Sequence, residues 1–266
     1  VGVIARHDLA QLRQSRDFWV PLAIIATLMF VVVPALLLTS LATISDPDLV
    51  ARLGELLGRL PEAERRALAP AGPAVGAAYS LATFLFAPLI TLVPLTVVSA
   101  CAANTFVGER ERGSGEFLAH SPAPTAHIYL GKLVAALIPA ALVAVGGFVG
   151  YGAVVNLVLA PQMGRPAFPT GNWWLVVVWL VPATLTLAAA LILMVSSRVS
   201  SGAAAQQAAS VIALPLVALV YTLGASSAFG ATGPAWAAGA GLWAAALVAV
   251  RAGAGELRRD RLLGMG

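Results

Sequence analysis

Gly108-Glu109-Arg110-Glu111-Arg112-Gly113-Ser114-Gly115-Glu116-Phe117-Leu118-Ala119-His120-Ser121-Pro122 opens a polar connector between two long apolar runs, 79–107 and 128–160. Each run exceeds the ~20 residues that a helix needs to cross a bilayer's hydrocarbon. A connector this charged cannot lie in that hydrocarbon. The segment 108–127 must therefore sit at a membrane face, and its neighbours decide which one.

The rest of the chain fits the same reading. Of 266 residues, 59% are hydrophobic and only 11% are charged, and mean hydropathy is +0.89. A soluble domain carries about 25% charged residues, so a water-soluble globule is excluded. The pI near 9.8 could suggest a nucleic-acid partner. The formal charge is only +4 and no folded basic patch is evident, so no nucleic acid is expected. Six apolar runs stand out, at 20–42, 79–107, 128–160, 173–196, 203–225 and 234–252. They are continuous rather than alternating, and a chain in lipid must satisfy its own backbone, so they read as helices rather than barrel strands. The expected fold is all-α, one integral membrane domain over 1–266 with six spans in the lipid bilayer. Val1 through Asp17 lacks the short apolar core and cleavage site of a signal peptide, so the first run reads as a retained anchor.

Charge sets the orientation. With the N-terminus inside, inner segments hold Arg6, Arg13, Arg16, Arg110, Arg112, Lys132, Arg198, Arg251, Arg258, Arg259 and Arg261. Outer segments hold Arg52, Arg59, Arg65, Arg66 and Arg165. The inner excess predicts that the connector and both termini are cytoplasmic. Trp19, Trp173, Trp174 and Trp236 fall near predicted interfaces, where indoles concentrate.

Three other segments have local character. Residues 1–19 mix Ile4, Leu9 and Leu12 with Arg6, Arg13 and Arg16, which suits an interfacial helix or an ordinary basic flank. In the outer loop 43–78, Asp46-Pro47 forms a start signal ahead of Leu49, Leu53, Leu56, Leu57 and Leu60 at helical spacing. A second short helix is predicted over Pro61–Leu68. These outer helices could lid a gate or simply cover the bundle. Pro34, Pro88, Pro94, Pro139, Pro182 and Pro215 lie well inside the apolar runs, where proline kinks helices. Gly146 and Gly150 offer a close-packing face.

The absences narrow the function. No Asp, Glu, Lys or Arg lies deep within a run, which disfavours a carrier driven by its own protonation. Gly131-Lys132 lacks the upstream glycine of a phosphate loop, so the chain is not expected to bind or hydrolyse ATP alone. No zinc-protease pattern or nucleophile elbow is present, and His7, His120 and His127 are scattered. No enzyme activity and no metal site are expected. Cys101, in an apolar run, reads as a small buried hydrophobe. Asn104, Asn156, Gln206 and Gln207 are sparse candidates for lining a polar path.

In the connector, Ser114 can cap a short helix, Glu116 suits its positive end, and Phe117-Leu118 projects an apolar knob that Ser121-Pro122 terminates. Such a knob in a charged frame suits a contact surface; a solvated interhelical loop is the plainer alternative.

The run Gly108-Glu109-Arg110-Glu111-Arg112, then Ser114, Glu116, Phe117-Leu118, Pro122 and Gly131-Lys132, resembles the signature of ABC-transporter permeases of the type-two export class. That class includes bacterial drug, antibiotic and sodium exporters. The resemblance extends to the Tyr79–Pro94 run, to Trp173-Trp174 and to the tail 257–263. Gly115 departs from it, standing where relatives carry a bulky apolar residue. The resemblance implies an N-terminal interfacial helix, six spans, and a cytoplasmic coupling helix between spans two and three, in a bacterial cytoplasmic membrane. It implies a second permease chain and two ATPase subunits, which hold ATP and Mg while this chain binds no cofactor. The residues just quoted would form the ATPase-coupling site. Glu109, Arg112 and Glu116 would make charged contacts, and Phe117 and Leu118 would fill the ATPase groove. The implied activity is outward movement of a hydrophobic or amphipathic cargo such as a drug, antibiotic or lipid. Sodium export, a membrane scaffold or assembly factor, and a secondary carrier or channel are the alternatives.

Overall fold

In a computed structural model of the chain, described over residues 1–43, 46, 48, 52, 62–84, 87–111, 113, 120–199, 201–228 and 232–257, the apolar runs are helices and no strand occurs among these residues. An amphipathic helix α1 (Gly2–Gln14) turns at Ser15 into the first span, built from α2 (Arg16–Thr27), a π-helical segment (Leu28–Val32) and α3 (Val33–Ala42). A short α4 (Glu62–Leu68) follows, then α5 (Pro73–Phe84) and α6 (Ala87–Glu111). The third span is α7 (Thr125–Met163). The fourth combines α8 (Gly171–Trp174), a second π-helical segment (Leu175–Leu180) and α9 (Val181–Ser196). The last two are α10 (Gly202–Ala228) and α11 (Thr232–Glu256). Six helical stretches are long and apolar enough to cross a membrane.

Proline shapes the spans in two ways. Each π-helical segment runs up to a proline, Pro34 or Pro182. The proline ring would clash with the carbonyl four residues earlier, at Phe30 or Val178, and it offers no N–H to that carbonyl. Widening the preceding turn accommodates both problems. Pro94, Pro139 and Pro215 instead lie inside helices that continue past them. The run 79–107, expected as one span, is helical over 79–84 and 87–107, and residues 85–86 lie outside the described ones.

The segment 43–78 is described in part. Asp46 accepts the Asp48 N–H at 3.0 Å, as an N-capping carboxylate does. The leucine series Leu49, Leu53, Leu56, Leu57 and Leu60 lies outside the described residues. Glu62 in α4 pairs with Arg65 and, at 2.9 Å, with Arg66.

Spans two and four form the interior: 72% and 67% of their apolar windows are buried, against 17% for span one and 22% for span five. Helix α6 packs on α7, α9 and α10, while α9 packs on α11. Without a hydrophobic drive between helices in lipid, small residues and buried hydrogen bonds hold such contacts. Alanines 102, 103, 183, 188, 189, 190 and 246 are buried along these faces. Tyr151 donates to the Ala82 carbonyl at 2.6 Å. Tyr129 donates to Ala190 at 2.9 Å, and Ser196 to Ala103 at 2.6 Å. Midway along the third span Gly147 makes a close contact, since its missing Cβ would lie 2.5 Å from the Phe30 ring. Gly146, expected to pack, faces outward one position away, and Gly150 touches only Val31.

Candidate coupling site at the base of spans two and three

The connector leaves α6 at Glu111 and returns in α7 at Thr125. Its described part contains exposed Gly113 in the left-handed region (φ 71°), where a Cβ would be strained. It also contains exposed His120 and Pro122. Arg112, Ser114, Glu116, Phe117 and Leu118 lie outside the described residues, as does the side chain of Arg110. The apolar knob and the short coupling helix expected there therefore have no described geometry.

What the structure does bring together lies at the two ends of the connector. Glu109, in the last turn of α6, and Lys132, two turns into α7, form an ion pair. Lys132 is only 2% exposed, and its Nζ also lies 2.8 Å from Asp8 Oδ2 on α1. Three elements thus converge on one ammonium. A buried ammonium is tolerable only when paired and hydrogen-bonded, and here two carboxylates meet that need. Glu109 had been expected as a surface contact. The structure turns it inward, because the buried Lys132 one helix away requires a counter-ion. Glu111 remains exposed, beside Gly202 at the start of α10.

Gly131 explains how α1 comes so close. A Cβ there would stand 2.9 Å from the Ile4 side chain and 3.2 Å from the Val1 carbonyl oxygen. The Gly131-Lys132 pair therefore works as a unit: the first residue admits the N-terminal helix and the second ties it down. Gly108 is buried in the preceding turn of the ion-paired helix end. The turn between α1 and α2 is fixed as well, since the Trp19 indole N–H donates to the Leu12 carbonyl at 2.8 Å.

Asp8 is the residue that sequence reading missed. Its only local signal was an acid among Arg6, Arg13 and Arg16, and nothing in periodicity links it to a lysine in the third span. Asn156, considered for a polar path, is fully engaged elsewhere. Its Nδ2 donates to the Phe168 carbonyl at 2.5 Å, and its Oδ1 accepts the N–H groups of Ala167 and Phe168 at 2.8 and 3.1 Å. It fastens the loop between spans three and four. Asn104, Gln206 and Gln207 are exposed. Along α6, Leu92, Thr96 and Asn104 share one uncovered face of an otherwise buried span.

A cleft of about 240 Å³ lies beside the ion-paired residues, walled by α1, the start of α2, α6 and α7. Its lining combines the charged Asp8, Glu109 and Lys132 with the polar Gln11, Ser15, Asn104 and Thr105 and the apolar Leu12, Phe18 and Ala136.

Comparison with known families bears on this arrangement. A family model described as "ABC-2 family transporter protein" matches residues 68–239. No curated protein and no solved structure matches the chain. The matched region runs from the end of α4 into α11 and includes both ends of the connector with the Glu109–Lys132 pair. Since it takes in well over half of the 266 residues, this six-span helical membrane protein belongs to the ABC-2 family of transporter proteins.

Proposed function

We propose that the chain is the permease subunit of an ATP-driven exporter, paired with a second permease chain and served by two ATPase subunits at the face carrying 108–127. ATP and Mg would be held by those subunits. The observation that carries this reading is the convergence of α1, α6 and α7 on Lys132 at the base of the connector. A push delivered to 112–119 would pass into spans two and three through a joint that cannot slip without stranding a buried charge. In this reading Arg110, Arg112, Glu116, Phe117 and Leu118 meet the ATPase, while Glu109, Gly131 and Lys132 hold the joint in shape. The membrane is a bacterial cytoplasmic membrane with both termini inside, in keeping with the distribution of Lys and Arg. The cargo is hydrophobic or amphipathic, in keeping with spans whose polar groups are few or, like Asn156, already engaged.

Phe117→Asp tests the reading. An aromatic anchor at the centre of an interface contributes about 2 kcal/mol or more. The variant should insert normally yet lose ATPase co-purification and ATP-dependent export. If co-purification and export both persist in Phe117→Asp, the docking role assigned to 112–119 is wrong.

A further inference from the structure

We infer that the cleft between α1, α6 and α7 is a binding site for an amphiphile bearing an ammonium head group. The inference rests on the charge balance of the walls. Asp8 and Glu109 contribute two carboxylates to the lining. Thr105 spends its hydroxyl hydrogen on the Cys101 carbonyl at 2.6 Å, and Asn104 spends an amide hydrogen on Ala100 at 3.1 Å. The one cationic side chain in the lining, Lys132, is 2% exposed and already held by both carboxylates. Gln11, Ser15 and the second amide hydrogen of Asn104 can still donate, but a ligand entering the cleft meets two carboxylates against one ammonium. An anionic head would face two carboxylates, which is unfavourable. A head with N–H donors and positive charge finds charge-assisted partners instead.

The apolar part of the lining fixes the rest of the ligand. Leu12, Phe18 and Ala136 supply an apolar wall, and the neighbouring α2 is the start of a membrane span. An alkyl or acyl chain can leave along that wall into the bilayer while its head stays beside Asp8. About 240 Å³ is room for a head group and the first few methylenes, not for a whole amphiphile. Two sources share this chemistry: a resident lipid with a primary amine, such as phosphatidylethanolamine, and a cationic amphiphile arriving as cargo. The site itself does not depend on the ATPase reading, so its test needs no partner.

The purified chain in nanodiscs is titrated with dodecylammonium and, in parallel, with dodecanoate. The expected result is a saturable component for dodecylammonium that is absent for dodecanoate. Asp8→Asn should weaken it at least tenfold. Gln11→Trp, which alters an exposed residue at the rim and leaves the ion-paired residues intact, should also weaken it while preserving the gel-filtration profile. Discs with and without phosphatidylethanolamine separate the sources. Competition by that lipid identifies a resident lipid, and equal binding in both discs identifies a site left open for cargo. Equal binding of dodecanoate, or dodecylammonium binding that neither variant changes, overturns the proposal.

Discussion

Lys132 shows how one side chain can decide the fate of its neighbours. Taken alone, its position near the start of an apolar run suits a cation snorkelling to the surface. The side chain is instead enclosed, and Asp8 and Glu109 are drawn in to match it. Replacing a buried ion pair with apolar groups can be neutral, but removing one member strands the others at a cost of about 3–5 kcal/mol. Lys132→Met is therefore expected to lower the thermal midpoint of the purified chain markedly. The exchange Asp8→Lys with Lys132→Asp, which keeps one ammonium between two carboxylates, should recover most of the loss. Arg198 and Glu256 provide the contrast. That pair is about half exposed, where ion pairs contribute at most about 1 kcal/mol. Arg198→Ala should leave the midpoint nearly unchanged.

At the scale of elements, the same physics separates what the sequence reveals from what it hides. The six spans were legible because hydrocarbon demands long apolar runs with satisfied backbones, and that requirement is written locally. Start signals such as Asp46 were legible for the same reason. Register was not. Gly146 and Gly147 are adjacent, both suit a close-packing face by composition, and only the approach of Phe30 decides between them. The candidate site divides in the same way. Its connector could be found by charge, whereas the inward turn of Glu109 depends on a partner in the next helix. Gly131→Val tests the element-level account. The added side chain must displace Ile4, and overpacking of this kind costs about 1–3 kcal/mol. Helix α1 should detach, seen as faster tryptic cleavage after Arg6 and Arg13, with the six spans still inserted.

For the whole molecule, the arrangement of charges is a claim about sidedness that chemistry can check. Cys101 is the chain's one cysteine and is buried, so the native protein should resist an impermeant maleimide. In a Cys101→Ser background, His120→Cys and Arg165→Cys place thiols at exposed positions beyond opposite ends of α7. Each should be labelled from one side of sealed vesicles only, and the sides should differ. Labelling of both from the same side would refute the assigned topology.

The bond between Asp8 and Lys132 also orders events during synthesis. Chains are made from the N-terminus at about 5–20 residues per second, so α1 is complete long before its anchor exists. Until the third span has entered the bilayer, Asp8 has no buried ammonium to meet and Ile4 has no Gly131 to rest on. The N-terminal helix must wait undocked through the insertion of two spans. Chains arrested before residue 132 should therefore expose α1 to protease, and chains arrested well beyond it should protect it. The base of the molecule thus closes only when a segment made early docks onto one made later.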